Sequence, residues 1–207
     1  QEEIVKTYES LYESKYKRAD MLEKYLLKRL LDSLPHAESL LEVGCGTAHF
    51  TKWFESLGLE CYGLDLSSLM LKEAKRLWHS RSLLQGVSTY LPFKDDSYDI
   101  VAFIACLEYM PDPISVLQEA SRVARKGMII GLMNKWSAPT IRRIIQVKMN
   151  RNPYYKNAEF YSILGMEKTL KEALRNAGNV SFWSTTVFPR VLGNVETSLL
   201  PFGAFLG

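Results

Sequence analysis

Short apolar runs alternate with amphipathic segments along most of this chain. Residues 40–43 form an apolar run that ends at Gly44 and Gly46, and apolar residues then recur at helical spacing between residues 50 and 57. A short apolar run bounded by turn residues indicates a buried strand, and a three- and four-residue spacing indicates a helix with one buried face. The pattern therefore predicts a strand, a tight loop and a helix.

The same alternation continues along the chain and is typical of an α/β fold. Further helices are predicted from residue 67 to 77, from Pro113 to 120, from 141 to 148 and from 166 to 177. The predicted strands occupy residues 40–43, 60–64, 82–87, 98–105, 127–133 and 180–187, and a seventh begins at Pro201.

The N-terminal residues 2–34 also have helical spacing, with a break near residues 16–20, and Pro35 ends this segment. Tyr8, Tyr12 and Tyr16 lie on neighbouring turns. Two interpretations remain open for these tyrosines. They pack on the sheet edge with their hydroxyls in solvent, or they form a lid over a pocket.

Composition indicates an ordinary globular protein. The 207 residues are 47% hydrophobic and 24% charged, with a net charge of +3, which is too small to indicate a nucleic-acid-binding protein by itself. No apolar run has the length of a membrane span, and no signal peptide is visible. Cys45, Cys61 and Cys106 lack C-x-x-C spacing, so we expect reduced thiols in a cytoplasmic protein and no metal site.

The loop after the first strand carries the most informative chemistry. Glycines at positions 44 and 46 allow a sharp turn and a close approach of a ligand to the backbone. A dinucleotide site needs a third glycine, but this position holds His49. Glu42 would repel a pyrophosphate and would suit an ammonium group. The loop therefore favours a nucleoside with a cationic amino-acid tail, such as S-adenosylmethionine (SAM), over NAD.

The second strand ends in Asp65, where a carboxylate can accept hydrogen bonds from both hydroxyls of a ribose. The alternative is that Asp65 only caps the following helix. Ser67 can cap that helix itself, so the ribose role is preferred.

Four motifs in order resemble those of class I SAM-dependent methyltransferases, in the group that includes quinone-biosynthesis methyltransferases. They are LEVGCGTA at residues 41–48, YGLDLS at 62–67, LPFKDDSYDIV at 91–101 and CLEYMPDP at 106–113. The resemblance implies a Rossmann-like, mostly parallel seven-stranded sheet with helices on both faces and an antiparallel last strand. It also implies one domain over residues 1–207, with an N-terminal helical lid (about 1–34) and a substrate-cap insert (about 134–161).

The resemblance also assigns a cofactor site. The implied cofactor-binding residues are Glu42, Gly44, Cys45, Gly46, Asp65, Leu66, Val87, Ser88 and Ala105. Glu42 and the two glycines would line the methionine end of SAM, Asp65 would hold the ribose, Leu66 would pack on the adenine, and Ala105 would face the sulfonium. Relatives often have an acid after the third strand that binds the adenine, but this chain has Val87 and Ser88 there.

Methyl transfer needs positioning and a dry pocket more than acid–base groups, and we assign no catalytic base. His49 is interpreted as a histidine on a helix surface. Tyr12, Tyr16, Trp136 and Tyr155 are the predicted substrate-binding residues, because aromatic side chains suit an enclosed pocket.

The function predicted from these features is methyl transfer from SAM to a small-molecule acceptor, with S-adenosylhomocysteine as the product. Two alternatives stay open. The basic residues of the insert, Arg142, Arg143, Lys148 and Arg151, would suit a methyltransferase of tRNA or protein, although a solvated helix explains them equally well. The missing acid near Val87 would fit a non-catalytic module with this fold.

Overall fold

A computed structural model of the chain describes residues 16–34, 36–78, 82–174 and 205–206. The helices are α1 (Lys17–Ser33), α2 (His49–Ser56), α3 (Ser68–Leu77), α4 (Pro113–Val123), α5 (Ala138–Lys148) and α6 (Ile163–Ala173). The strands are β1 (Ser39–Val43), β2 (Glu60–Asp65), β3 (Leu83–Gln85), β4 (Tyr98–Ile104), β5 (Ala124–Gly131) and β6 (Phe205–Leu206). Short 3-10 helices cover Leu107–Tyr109 and Pro153–Tyr155.

The sheet has the strand order β3-β2-β1-β4-β5-β6. Strands β1 to β5 are all parallel, and Leu41 lies between Tyr62 of β2 and Val101 of β4. The chain crosses from one side of the sheet to the other between β1 and β4. In open α/β sheets a ligand binds at the carboxyl ends of the strands beside such a crossover.

The predicted seven-stranded sheet is corrected by the structure. The described residues form five parallel strands, and the two-residue β6 pairs antiparallel with β5, where Met128 lies opposite Leu206. The strand predicted at residues 180–187 lies outside the described residues, and β6 falls within the last predicted strand, which begins at Pro201. The helix predicted from residue 166 begins earlier, at Ile163, because the Ser162 hydroxyl accepts a hydrogen bond from the Gly165 N–H at 3.0 Å.

Strand β5 begins three residues before its predicted start at 127. The sequence hides this start because Arg125 and Lys126 are charged. In the structure both contact the buried Asp99 carboxylate, at 3.1 and 3.2 Å, at the amino end of β4. This polar cluster therefore lies at the opposite end of the sheet from the crossover site.

The two faces of the sheet form separate cores, because successive side chains of a strand point to opposite faces. On one face Leu41 and Phe103 pack with α4 and α6. On the other face Leu40 and Ile129 pack with α1 and α2. Helices therefore cover both faces, as predicted. None of the helices in the described ranges has the length and apolar character needed to cross a membrane.

Candidate cofactor and substrate site

The loop between β1 and α2 is held tightly against its neighbours. The Gly44 N–H donates to the Leu64 carbonyl at 2.7 Å, and Gly44 has φ of +76°. A Cβ on this glycine would lie 2.7 Å from Cβ and 2.8 Å from Sγ of Cys106. Only glycine therefore fits between β1 and the chain that leaves β4. This backbone surface is the cradle that a ligand approaches.

The Glu42 carboxyl is buried beneath this loop, with 2% of the residue exposed. Its Oε2 accepts a hydrogen bond from the Thr51 hydroxyl of α2. Burial raises the pKa of Glu42 to about 8, and the negative charge of Asp65 adds to that rise. A cationic ligand group would restore the ionised carboxylate, because an opposite charge nearby favours ionisation.

Asp65 joins the loop to the next helix. Its Oδ2 accepts from the Gly46 N–H at 2.8 Å, and its Oδ1 accepts from the Ser67 N–H at 2.7 Å. Each carboxylate oxygen keeps a further lone pair for a ligand hydroxyl. The Ser67 hydroxyl accepts from the Met70 N–H at 3.3 Å, so Ser67 caps α3 as predicted.

The carboxyl ends of β2 and β3 expose apolar side chains. Leu66 is 68% exposed and Val87 is 47% exposed, while Ser88 is half-buried. The Leu66 carbonyl is fixed by a hydrogen bond from Gln85 Nε2 at 3.0 Å. Large exposed apolar side chains beside a polar cradle offer a surface for a flat aromatic ring.

The end of β4 carries unusual backbone geometry. Ala105 has φ of +50°, and its N–H donates to the Gly131 carbonyl at 2.8 Å. The next residue, Cys106, donates its thiol hydrogen to the Val43 carbonyl at 3.0 Å. Burial raises the pKa of the Cys106 thiol well above its ordinary value, and Glu108, Glu42 and Asp65 add to the effect. The charges of all three carboxyl groups therefore act on Cys106, at the end of β4 beside the crossover.

The interpretation of His49 as a surface histidine is wrong. Its side chain is only 16% exposed, because α1 packs over the start of α2. Nε2 lies 2.7 Å from Oδ1 of Asp20 and 3.0 Å from Nζ of Lys24. The sequence separates His49 from Asp20 by 29 residues, so nothing local predicts this contact.

Three of the four predicted substrate residues, Tyr16, Trp136 and Tyr155, lie in the described part of the chain. Tyr12 lies outside the described residues. Tyr16 directly precedes α1, and Trp136 is 70% exposed. Tyr155 is half-buried, with its ring centroid 4.9 Å from that of Tyr154. The Arg143 guanidinium lies over the Tyr155 ring at 5.2 Å.

The motif at residues 106–113 contains a buried acid for which the sequence predicts no role. Glu108 is 1% exposed, and its Oε1 accepts from the Met133 N–H at 2.6 Å. Its Oε2 has no hydrogen-bond partner among the described residues. Burial raises the pKa of Glu108 to about 7. The available signal was an acid in an otherwise apolar segment directly after a buried strand.

Comparisons with known proteins agree with this geometry. Residues 41–131 match the family described as "Methyltransferase domain". An uncharacterized protein of Methanocaldococcus jannaschii is 28% identical over 167 residues, which cover 80% of this chain and 77% of that protein. Demethylmenaquinone methyltransferase of Geobacillus stearothermophilus is 35% identical over 126 residues, covering 57% of this chain and 53% of that protein. The chain spans about half the length of the first curated methyltransferases that it matches.

A solved structure from Thermotoga maritima, described as a SAM-dependent methyltransferase and possible histamine N-methyltransferase, is similar over the whole chain. The TM-score is 0.76 at 22% identity, and the match covers 100% of this chain and 89% of that one. At this identity the similarity concerns the fold.

Proposed function

Because the chain belongs to the class I SAM-dependent methyltransferases, we propose that it transfers a methyl group from SAM to a small-molecule acceptor. The observation that carries the proposal is the pair of carboxyls at the crossover. Glu42 is buried below the glycine cradle, and Asp65 fixes the loop that forms the cradle.

The residues present fit the cofactor. We assign its ammonium group to Glu42, its backbone contacts to Gly44, Cys45 and Gly46, and its ribose hydroxyls to Asp65. The exposed Leu66 and Val87 side chains, with Ser88, suit an adenine ring, although the acid found in many relatives is absent. Ala105 is assigned to the reacting end, because it leaves β4 beside the cradle.

Bound SAM would supply an electrophilic methyl group on sulfur, so the chain itself needs to bind, orient and exclude water. We propose residues 134–161 as a cap over the acceptor and α1 as part of a lid. Two observations support these roles. The Tyr155 ring in the cap packs against the Tyr154 ring. In the lid, Asp20 and Lys24 of α1 contact His49 at the start of α2.

A small acceptor is supported by the relatives. By their names, two curated matches are methyltransferases of demethylmenaquinone and of malonyl-[acyl-carrier protein], and a third is an O-methyltransferase of ubiquinone biosynthesis. That this chain also methylates a small acceptor is part of the proposal.

Calorimetry with SAM, S-adenosylhomocysteine and NAD tests the cofactor assignment. We expect binding of the first two and no measurable binding of NAD. A preference for NAD would overturn the proposal. Release of S-adenosylhomocysteine, followed over metabolite and tRNA pools, then separates a small-molecule enzyme from an RNA enzyme. No release with either pool would favour a non-catalytic module.

A further inference from the structure

We propose that the methyl acceptor is an amine whose nitrogen is held by the free Oε2 of Glu108 and gives its proton to that oxygen. The inference rests on the proposed function and names the substrate class of the same site.

The position of Glu108 is fixed by the backbone around it. It lies in the 3-10 helix that follows β4, two residues after Cys106, whose side chain fills the space beside Gly44. The Met133 N–H holds Oε1 at 2.6 Å, so the carboxyl group has one fixed oxygen and one oxygen without a partner in the described chain. A buried acceptor left unpaired destabilises the protein, and a ligand that donates a hydrogen bond to it removes this cost.

A second buried polar atom without a described partner lies nearby. The Tyr161 hydroxyl makes no hydrogen bond within the described residues, and Glu108 is close enough to contribute to its raised pKa. The backbone holds this tyrosine beside the 3-10 helix, because the Glu159 N–H donates to the Glu108 carbonyl at 2.7 Å. Each of these two buried polar atoms on neighbouring segments therefore needs a hydrogen-bond partner, which a polar ligand group would supply.

The charges around Glu108 favour a cation. Glu23 of α1 is half-buried, and burial together with Asp20 and Glu108 raises its pKa to about 7. The positive charge of Arg143 lowers the pKa of Glu108, but its guanidinium lies over the Tyr155 ring. A carboxylate or phosphate next to Glu108 would be repelled, whereas an ammonium group would be attracted.

An acceptor amine must lose a proton before or during attack, because an ammonium nitrogen has no lone pair. In the proposed step the nitrogen lone pair forms the N–C bond to the methyl group. The C–S bond breaks with its electron pair staying on sulfur, which gives S-adenosylhomocysteine. The N–H proton passes to Oε2 of Glu108 and then to solvent. An acid with a pKa near 7 is well matched to this transfer at neutral pH.

Binding to the protein saturated with S-adenosylhomocysteine tests the class of acceptor. The probes are benzylamine against benzyl alcohol and butylamine against butanol, measured by calorimetry at pH 7.5. Each amine should bind roughly ten- to a hundredfold more tightly than its alcohol, because a charge-assisted hydrogen bond contributes about 1.5–3 kcal/mol.

The variant Glu108→Gln should abolish this preference. Glutamine keeps an oxygen for the Met133 N–H, so the fold is retained while the charge is lost. Glu172→Gln removes an exposed carboxylate on α6, outside the cap, and should preserve the preference. Tyr161→Phe should weaken amine binding less than Glu108→Gln does. Equal binding of amine and alcohol, no amine binding, or an unchanged preference in Glu108→Gln would overturn the proposal.

Turnover separates this proposal from the proposed function. With amines, the acid limb of the kcat/KM profile near pH 7 should be present in the original protein and absent in Glu108→Gln. The charge of Arg143 lowers the pKa of Glu108. The charge of Glu108 in turn raises the pKa values of four ionisable neighbours, which are Glu23, Cys106, Tyr109 and Tyr161. Methylation of phenols or thiols without amines would overturn the amine assignment and leave the methyltransferase proposal standing. Failure to bind SAM would overturn both.

Discussion

At the scale of single residues, Glu42 gives a prediction about pH and stability. Burial raises its folded-state pKa to about 8, above the unfolded value of 4.5. Its contribution to stability is therefore fully present below about pH 4.5 and is lost as pH rises to about 8. Without ligand, the original protein should lose up to about 1.4 kcal/mol per pH unit relative to Glu42→Gln over this range.

Denaturant unfolding of both proteins at pH 5, 6.5 and 8 measures the difference. Comparing the two proteins cancels the other titrating groups, and glutamine can still accept from Thr51. Parallel stability curves would contradict the assignment of a raised pKa to Glu42.

Asp65 gives a second prediction at this scale. Asp65→Ala removes the acceptor for the ribose hydroxyls and also the acceptor for the Gly46 and Ser67 N–H groups. SAM affinity should fall roughly ten- to a hundredfold, and the unliganded protein should lose about 1–3 kcal/mol of stability. Calorimetry and unfolding measure the two effects. A folded variant with unchanged SAM affinity would refute the ribose assignment.

Residues with local signals could be predicted, and residues defined by distant partners could not. Gly44, Gly46 and Asp65 stand at fixed distances from strand ends, so sequence alone predicts a loop and an acid at its side. Glu108 and His49 depend on Met133 and Asp20, which are 25 and 29 residues away. Their roles appear only when the sheet and α1 are assembled.

At the scale of elements, the two glycines of the β1–α2 loop should respond differently to alanine. Gly46 has φ of +55° and open space around an added Cβ, so Gly46→Ala should cost about 1–2 kcal/mol of unfolding free energy from backbone strain. Gly44→Ala adds a clash with Cys106 and should cost roughly 1–3 kcal/mol more. Chemical denaturation of both variants measures the difference.

The double variant Gly44→Ala/Cys106→Gly isolates the clash. Because Cys106→Gly removes the two atoms that lie within 3 Å of the new Cβ, the two changes should be less destabilising together than their sum. Additive effects would show that the loop does not pack on the β4 exit as described.

The element boundaries show which patterns predict well. Strand β4 was predicted at 98–105 and covers Tyr98–Ile104, because its side chains are buried on both faces and form one apolar run. Strand β5 was predicted late, because its first residues are charged and pair with Asp99. A polar strand end has no periodic signal, so its partner on another strand decides where it starts.

At the scale of the whole molecule, sequence predicted the α/β class and the family but not the detailed sheet. The strand order and the crossover between β1 and β4 follow from pairing across 60 residues, as in the hydrogen bond from the Asp99 N–H to the Ser39 hydroxyl. The sequence pattern and the resemblance both predict seven strands, while the described chain has five parallel strands and the short β6. Pairing between distant strands therefore determines the strand order and the crossover, which local sequence patterns do not predict.

The distribution of charge over the molecule gives the last prediction, which separates a small-molecule enzyme from an RNA enzyme. Arg142 and Lys148 are exposed on α5, whereas the Arg143 guanidinium packs over the Tyr155 ring. The double reversal Arg142→Glu/Lys148→Glu should therefore leave turnover of a small acceptor nearly unchanged. Tyr155→Ala should lower it strongly, because the half-buried ring packs on Tyr154 and Arg143.

The dependence of KM on salt concentration gives a second test, which uses the protein without substitutions. An RNA groove would release about one counterion for each phosphate contact, so affinity would fall by roughly 0.7–0.9 powers of salt concentration per contact. With 26 basic and 23 acidic residues, the chain has little excess charge to support such a slope beyond the basic segment itself. We expect the KM of a small acceptor to change little between 50 and about 200 mM salt. Methylation of bulk tRNA with a steep salt slope, abolished by the double reversal, would show instead that the basic segment is an RNA-binding surface.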